Sequence, residues 1–447
     1  MLEDPKSRRS TPSPYSDGLL LGWKTDFTPS IGFQSSPDNV TSSVKSPLVY
    51  SGPGHHLCVA STGTGKGTGV AVPTLLTNEA SAIVLDVKGE LAQICARRRR
   101  DMGHEVRIID PFHLLGSASS DSFNIFDVAR LGTDPEDYAR IIVNNLTGDR
   151  QSARDPFWDI SAAGILSGMV CHAMTTPNLA DRSLGYVRDL FSCGDLAYRI
   201  ATLLDSNTMI STDAQQEFKT FLDMPEPNTR GGVQATAAQH LTLFGSAAVR
   251  RATTKSTFSV ESLHEGQPIT IFLVIPCQYL RSHAALIRCW LAALLTVIFS
   301  RTVMPQLPTL LLLDEIGHIA RLPLLEDAVT LGRGMGLQVM MIFQDVQQME
   351  KVYPDAYRSM VNNCGVIQTF GMRNYAMATS FANLIGGISA EALMNMSPDQ
   401  QVVLIEGGKP EICRRLNYLS DPLFQKPGFY DPNPRYGKRK KVGTRRR

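Results

Sequence analysis

Eight short apolar runs constrain this chain more than any other feature: LCVA (57–60), AIVLD (82–86), VRIID ending at Asp110, ITIFLVI (269–275), TLLLLD (309–314), LQVMMIF (337–343), VIQTF (366–370) and QVVLIE (401–406). Each is apolar at successive positions, not alternate ones, and too short for a buried helix. Such runs fit strands covered on both faces, as in a parallel sheet. Gly89–Met102, between the second and third runs, has a helical pattern and fits a crossover helix. Residues 134–262 hold mostly helical patterns, such as PEDYARIIVNNL and DISAAGILSGMVCHAM, and few β-branched stretches. A strand-rich layer interrupted by a helical block predicts an α/β core with an all-α insertion.

The first run feeds ASTGTGKGTGVAVP (60–73). A phosphate cradle needs successive backbone N–H groups turned inward, hence glycines, followed by a helix N-terminus. Ser61, Thr62, Gly63, Thr64, Gly65, Lys66, Gly67 and Thr68 supply that order, with Lys66 for the β- and γ-phosphates of ATP and Thr68 for the α-phosphate. Two departures stand out. Ala60 replaces the first glycine of the usual pattern, and Gly67 removes the hydroxyl that normally holds Mg2+. Pro73 sits early in the following helix, where it should cost a hydrogen bond or produce a kink.

A distant carboxylate for the metal is available in TLLLLDE (309–315). A buried strand ending in two acids would present Asp314 to Mg2+ through water, and Glu315 to the water that attacks the γ-phosphate. Gln344 follows the run 337–343, and a polar residue at a strand's carboxyl end faces the ligand crevice of an open α/β sheet. Asp86 and Lys88 of LDVKGE either support the same site or are turn residues. Arg333 and Arg373, both near strand ends, are the candidates for an arginine finger from a neighbouring subunit.

Composition narrows the class further. At 447 residues the chain is long for one core, and 43% hydrophobic with 19% charged residues describes a globular protein. Its eight cysteines form no CxxC pair and its nine histidines no HExxH spacing, which argues against structural zinc and for a reducing cytoplasm. No signal peptide is visible. The most apolar helical run, CWLAALLTVIF (289–299), is far short of the roughly 20 residues a membrane span needs and predicts a buried core helix. The expected divisions are a flexible N-terminal arm (1–50), a nucleotide-binding domain in two parts (51–132 and 266–425), an all-α insertion (133–265), and a Pro-rich, basic tail (426–447).

STGTGKGTGVAVPTLL, LDVKGE, DPFWDISA, VIPCQYLRSHAALIR, LLLLDEIGHIARLPLLEDAVTLGRGMGLQVMMIFQD and NNCGVIQTFG together resemble, in order, the blocks of type IV secretion coupling proteins, the TraG/TraD-like ATPases of bacterial conjugation. The resemblance covers about residues 50–420. Members commonly carry glycine after the P-loop lysine, so it implies a working loop. It also implies a RecA-like P-loop NTPase core and an all-α domain inserted between the nucleotide-binding elements. A homo-hexameric ring would couple ATP hydrolysis to passing DNA, with relaxosome or effector proteins, to a type IV secretion channel at the inner membrane. Many members begin with transmembrane helices and this sequence shows none, which implies a cytoplasmic motor held peripherally at the membrane through partners.

The net charge of +2 gives no broad basic face, so DNA contact would rest on a few pore residues. The last eleven residues, GKRKKVGTRRR, are a local candidate for DNA, anionic lipid or an acidic partner, or are a solvated tail. The RRRR run at 97–100 reads as a solvated helix face. Two other functions fit the same motifs: a nucleotide-gated docking receptor that does not pump, and an FtsK/HerA-type DNA translocase. DNA stimulation of hydrolysis separates the first from a motor. LDVKGE and the inserted helical block are not expected in the second.

Overall fold

The computed structural model describes residues 15, 18–25, 44–116, 120–148, 156–192, 194–206, 210–225, 227–318 and 321–433. The basic run 437–447 lies outside them. The eight apolar runs are strands β3 (His55–Ala60), β4 (Ala82–Asp86), β5 (Glu105–Ile109), β6 (Ile269–Val274), β7 (Thr309–Leu313), β8 (Leu337–Phe343), β9 (Cys364–Phe370) and β10 (Gln400–Ile405). Two earlier strands, β1 (Leu19–Thr25) and β2 (Val44–Tyr50), and one later strand, β11 (Glu411–Arg415), complete a sheet of eleven in the order β2-β1-β11-β10-β9-β3-β8-β7-β4-β6-β5. From β9 to β5 the pairs are parallel; from β9 to β2 they are antiparallel.

Within the expected flexible arm, 1–50, the segments Leu19–Thr25 and Val44–Tyr50 are instead strands of the sheet. Leu19, Leu20 and Leu21 are buried, and the Gln401 side chain donates through Nε2 to Leu21 O at 2.7 Å. The strand carries Gly22 because β11 approaches closely: a Cβ there would meet Arg414 O at 2.6 Å. Pro47 is tolerated in β2 because that strand ends the sheet.

Residue alternation divides the core. Leu57, Val59, Ile83 and Leu85 face one apolar layer, and Cys58, Ala60, Val84 and Ala82 the other. The second layer is covered by α1 (Val72–Thr77) and α2 (Glu90–Asp101). Between β5 and β6 run α3 (Pro135–Thr147), α4 (Pro156–Thr175), α5 (Leu184–Ser192), α6 (Leu196–Asp205), α7 (Thr212–Leu222), α8 (Pro227–Leu241), α9 (Ala247–Thr253) and α10 (Val260–His264). This helical block shares the first apolar layer through α11 (Ala284–Phe299), the buried helix expected from its apolar run. Arg288 of α11 donates through Nε to Asn145 O at 2.8 Å, satisfying a carbonyl in the last turn of α3. Trp290 Nε1 donates to Phe123 O at 3.2 Å. These contacts seat the insertion on the core.

One local expectation takes a specific form and one changes. At Pro73 the irregularity is a π turn over Gly67–Ala71, in which Val72 N–H reaches Gly67 O, and α1 starts just before the proline. The wider turn accommodates a ring that would press on the carbonyl four residues earlier. The RRRR run is not a solvated face. Arg98 and Arg99 are buried, Arg98 lies 4.6 Å from the centre of the Phe429 ring, and Arg99 Nε donates to Thr270 Oγ1 at 2.9 Å. Arg99 also donates to Asn78 O and Ala80 O, and burial pulls its pKa down to about 10.

Candidate nucleotide site

Strands β3, β8, β7 and β4 lie side by side and parallel, so the residues after their carboxyl ends converge. The residues after β3 form the glycine-rich loop. Gly63 and Gly65 have φ of +76° and +94°, conformations that side chains rarely adopt and that fold the loop around a hollow. Lys66 is buried, and its Nζ donates to Ala60 O at 2.9 Å, across the loop it belongs to.

Asp314 and Glu315 follow β7 and are also buried. Glu315 has φ of +57°, an uncommon geometry that turns its side chain away from the strand direction. Its Oε2 accepts from Gln344 Nε2 at 2.8 Å, and its Oε1 lies 3.7 Å from Lys88 Nζ. Gln344, placed after β8 between the loop strand and the acid strand, therefore holds the carboxylate directly. Asp86, at the end of β4, accepts from the backbone N–H groups of Lys88 (3.2 Å) and Ala92 (2.9 Å), and so shapes the turn that carries Lys88.

Burial governs the charges here. It pushes the Asp314 carboxyl up to about 7, with Lys88 acting against it and Glu315 adding to it. Burial likewise pushes Asp86 up to about 6 against its backbone hydrogen bonds. For Lys88 burial works against the charge, but Asp314 and Glu315 outweigh it and its pKa rises. A cation would be well received between these acids.

Gly63, Gly65, Lys66, Gly67, Thr68, Asp86, Lys88, Asp314 and Glu315 line one cleft of about 170 Å³, together with Glu90 and with Val72, Leu91, Ile94 and Tyr418. Thr62 borders it, whereas Thr68 Oγ1 turns to Gly65 O at 3.0 Å. Ser61 is buried behind the loop, with its hydroxyl 3.8 Å from Met377 Sδ. A larger cleft of about 750 Å³ on the other flank of the loop touches Gly63 and Thr64 but contains none of Lys66, Asp314 or Glu315.

The two arginine candidates part company. Arg373 follows β9 at the carboxyl edge, and its guanidinium donates to Thr62 O of its own loop. Arg333 precedes β8, at the opposite edge, with Nη1 4.0 Å from Glu406 Oε1. The length of β8 separates it from its own chain's loop by roughly 20 Å. Sequence reasoning missed Arg415 and Tyr418. Arg415 Nη1 donates to Thr64 O at 2.8 Å, and Tyr418 N–H to Thr68 O at 3.2 Å. No motif marks either residue, and they meet the loop only because β11 joins the same sheet.

A Mg2+ ion bound with a nucleotide keeps several waters and takes one or two carboxylates plus phosphate oxygens. Asp314, buried at the cleft wall beside the loop, suits that role, and Gly67 leaves room beside it: a Cβ at residue 67 would meet nothing within 4 Å. Among the described residues no helix is long and apolar enough to cross a membrane.

Comparison with known proteins places this geometry. Protein VirD4 of Rhizobium radiobacter is 28% identical over 411 residues, covering 82% of this chain and 57% of its own length. Conjugal transfer protein TraG of Agrobacterium fabrum is 27% identical over 417 residues, covering 83% and 62%. The chain thus spans little more than half the length of these relatives. Among solved structures, plasmid coupling protein TrwB in complex with a non-hydrolysable ATP analogue superposes with a TM-score of 0.63 at 16% identity, over 85% of this chain and 89% of that one. VirB4 of Thermoanaerobacter pseudethanolicus gives 0.51 at 12% identity, over 82% and 90%. These likenesses agree with an α/β, RecA-like P-loop NTPase core bearing an all-α domain. With a family model for type IV secretory system conjugative DNA transfer matching residues 33–392, the chain belongs to that family of coupling proteins.

Proposed function

We propose that this chain binds ATP with Mg2+ in the cleft between the glycine-rich loop and β7, hydrolyses it, and uses the cycle to recruit DNA or nucleoprotein and drive it to a type IV secretion channel. The observation that carries this reading is the cleft that Lys66, Asp314 and Glu315 line, all three buried, with Gln344 Nε2 donating to Glu315 Oε2 at 2.8 Å.

In this reading the backbone N–H groups from Gly63 to Thr68 cradle the phosphates, and Lys66 leaves Ala60 O to meet the β- and γ-oxygens. Asp314 would hold the ion, the carboxylate role the fold leaves to it. Bound Mg2+ would neutralise charge on the β- and γ-phosphate oxygens. Glu315 takes a proton from the attacking water while Gln344 and Lys88 fix its carboxylate. The nucleotide-binding domain spans 51–132 and 266–425, the all-α insertion 133–265, and the basic tail 426–447. Within 1–50, Leu19–Thr25 and Val44–Tyr50 belong to the sheet. Membership of this coupling-protein family is the ground for reading the chain as one protomer of a homo-hexameric ring at the inner membrane, held there through partners. Arg333, remote from its own loop, suits a finger offered to a neighbouring subunit.

Calorimetric titration with Mg-ATP tests the site. The expected result is saturable one-site binding that Lys66→Ala abolishes without shifting the melting temperature. Wild-type affinity in Lys66→Ala would overturn the assignment.

A further inference from the structure

The cradle's own geometry raises a question that the motif does not answer: what holds a loop with two left-handed glycines in a phosphate-ready shape. In a trans peptide the C=O of one residue and the N–H of the next point in opposite directions. Fixing a loop carbonyl on the outside therefore fixes the following N–H on the inside. Arg415 does this at one peptide and adds to the hold on the next, whose carbonyl also takes Gly69 N–H at 2.8 Å and Thr68 Oγ1 at 3.0 Å. Its Nη1 donates to Thr64 O at 2.8 Å and its Nη2 to Gly65 O at 3.3 Å, which aims the N–H groups of Gly65 and Lys66 the other way. Arg373 does the same for the peptide before Gly63 by donating to Thr62 O.

Arg415 is itself held. Its guanidinium lies 4.3 Å from the centre of the Phe370 ring at the end of β9. Its backbone N–H donates to Asp399 O at 2.8 Å. The chain then continues along the loop, with Tyr418 N–H on Thr68 O at 3.2 Å. The fit leaves no room at Gly69, where a Cβ would meet Leu416 O at 2.9 Å; at Gly65 a Cβ would press on the Arg415 guanidinium, and the φ of +94° itself disfavours a side chain. A planar fork is the group suited to two carbonyls in sequence; a lysine presents one ammonium.

We propose that Arg415, with Arg373 beside it, is a positioning residue that braces the outer carbonyls of the glycine-rich loop and so holds its N–H groups in the phosphate-binding orientation. This rests on the nucleotide-site reading above. It makes β11, far from the loop in sequence, part of the nucleotide site. It also gives Arg373 a task within its own chain.

The test measures the Kd of the full-length protein for Mg-ADP and Mg-ATP, with kcat and KM, in Arg415→Gln, Arg415→Lys and Lys66→Ala. Arg415→Gln should raise both Kd values by at least about tenfold, since two charge-assisted hydrogen bonds are lost from the cradle. At saturating ATP its kcat should stay within about twofold of wild type, because Glu315 and Gln344 are untouched. Arg415→Lys should fall between the two. Wild-type Kd in Arg415→Gln, with binding lost in Lys66→Ala, overturns the brace and leaves the site standing. Wild-type binding in Lys66→Ala overturns both. If Arg415→Gln melts early, Arg415→Lys decides: a raised Kd supports the brace and a wild-type Kd overturns it.

Discussion

Replacing Asp314 by asparagine should stabilise the nucleotide-free protein, and only above a defined pH. Asp314 is buried beside two further acids, and its carboxyl titrates at about 7 instead of the 3.8 of a free side chain. Between those values the unfolded chain has lost the proton and the folded chain keeps it, so stability falls as pH rises through the interval. The loss is complete once pH passes 7. About three pKa units correspond to about 4 kcal/mol. Asparagine has the shape of the protonated acid and no charge to desolvate. The two proteins should therefore unfold together below pH 4 and diverge to about 4 kcal/mol by pH 8, roughly 4–8 °C in melting temperature for a chain of this length. Thermal unfolding without nucleotide from pH 4 to pH 8 reads this directly. Adding Mg-ADP should raise the wild-type midpoint and leave the variant's nearly unmoved. A variant less stable than wild type at pH 8, or a difference that does not change with pH, would refute the reasoning.

Glu315→Gln should retain Mg-ATP affinity and lose at least about 100-fold in turnover; loss of binding in that variant would make Glu315 a metal or structural residue. Gly67→Ser places a side chain where a Cβ meets nothing within 4 Å, so the fold should be kept while the half-saturating Mg2+ concentration for hydrolysis drops severalfold. An unchanged Mg2+ requirement would place the ion away from residue 67. Arg99→Met should destabilise the chain by about 3 kcal/mol in denaturant unfolding, because the carbonyls of Asn78 and Ala80 lose their buried donor.

The parallel half of the sheet was legible because most of it is covered on both faces: β3, β4, β6, β7 and β8 are buried at every position. The same pattern exposed the acids after β7 and the glutamine after β8. The antiparallel half hid itself. In β1 the close approach of β11 demands Gly22, β2 carries Pro47 as the last strand, and β11 reads EICRR because only Cys413 is fully buried. Local signals cannot report what a distant segment covers. Arg98 and Arg99 looked solvent-facing, yet Phe429 and the carbonyls of residues 78 and 80 enclose them. Arg415 belongs to the site by the same kind of long-range pairing, 351 residues from Thr64. Lys88 was ambiguous between turn and site until its 3.7 Å approach to Glu315 was visible.

Whether the cleft is a motor's nucleotide site coupled to nucleic acid is read most directly from steady-state ATP hydrolysis by the purified chain, alone and with single- or double-stranded DNA, beside Lys66→Ala. The expected result is hydrolysis that DNA strongly stimulates and that Lys66→Ala abolishes. Slow hydrolysis indifferent to either form of DNA would contradict it and point to a nucleotide-gated receptor for protein partners.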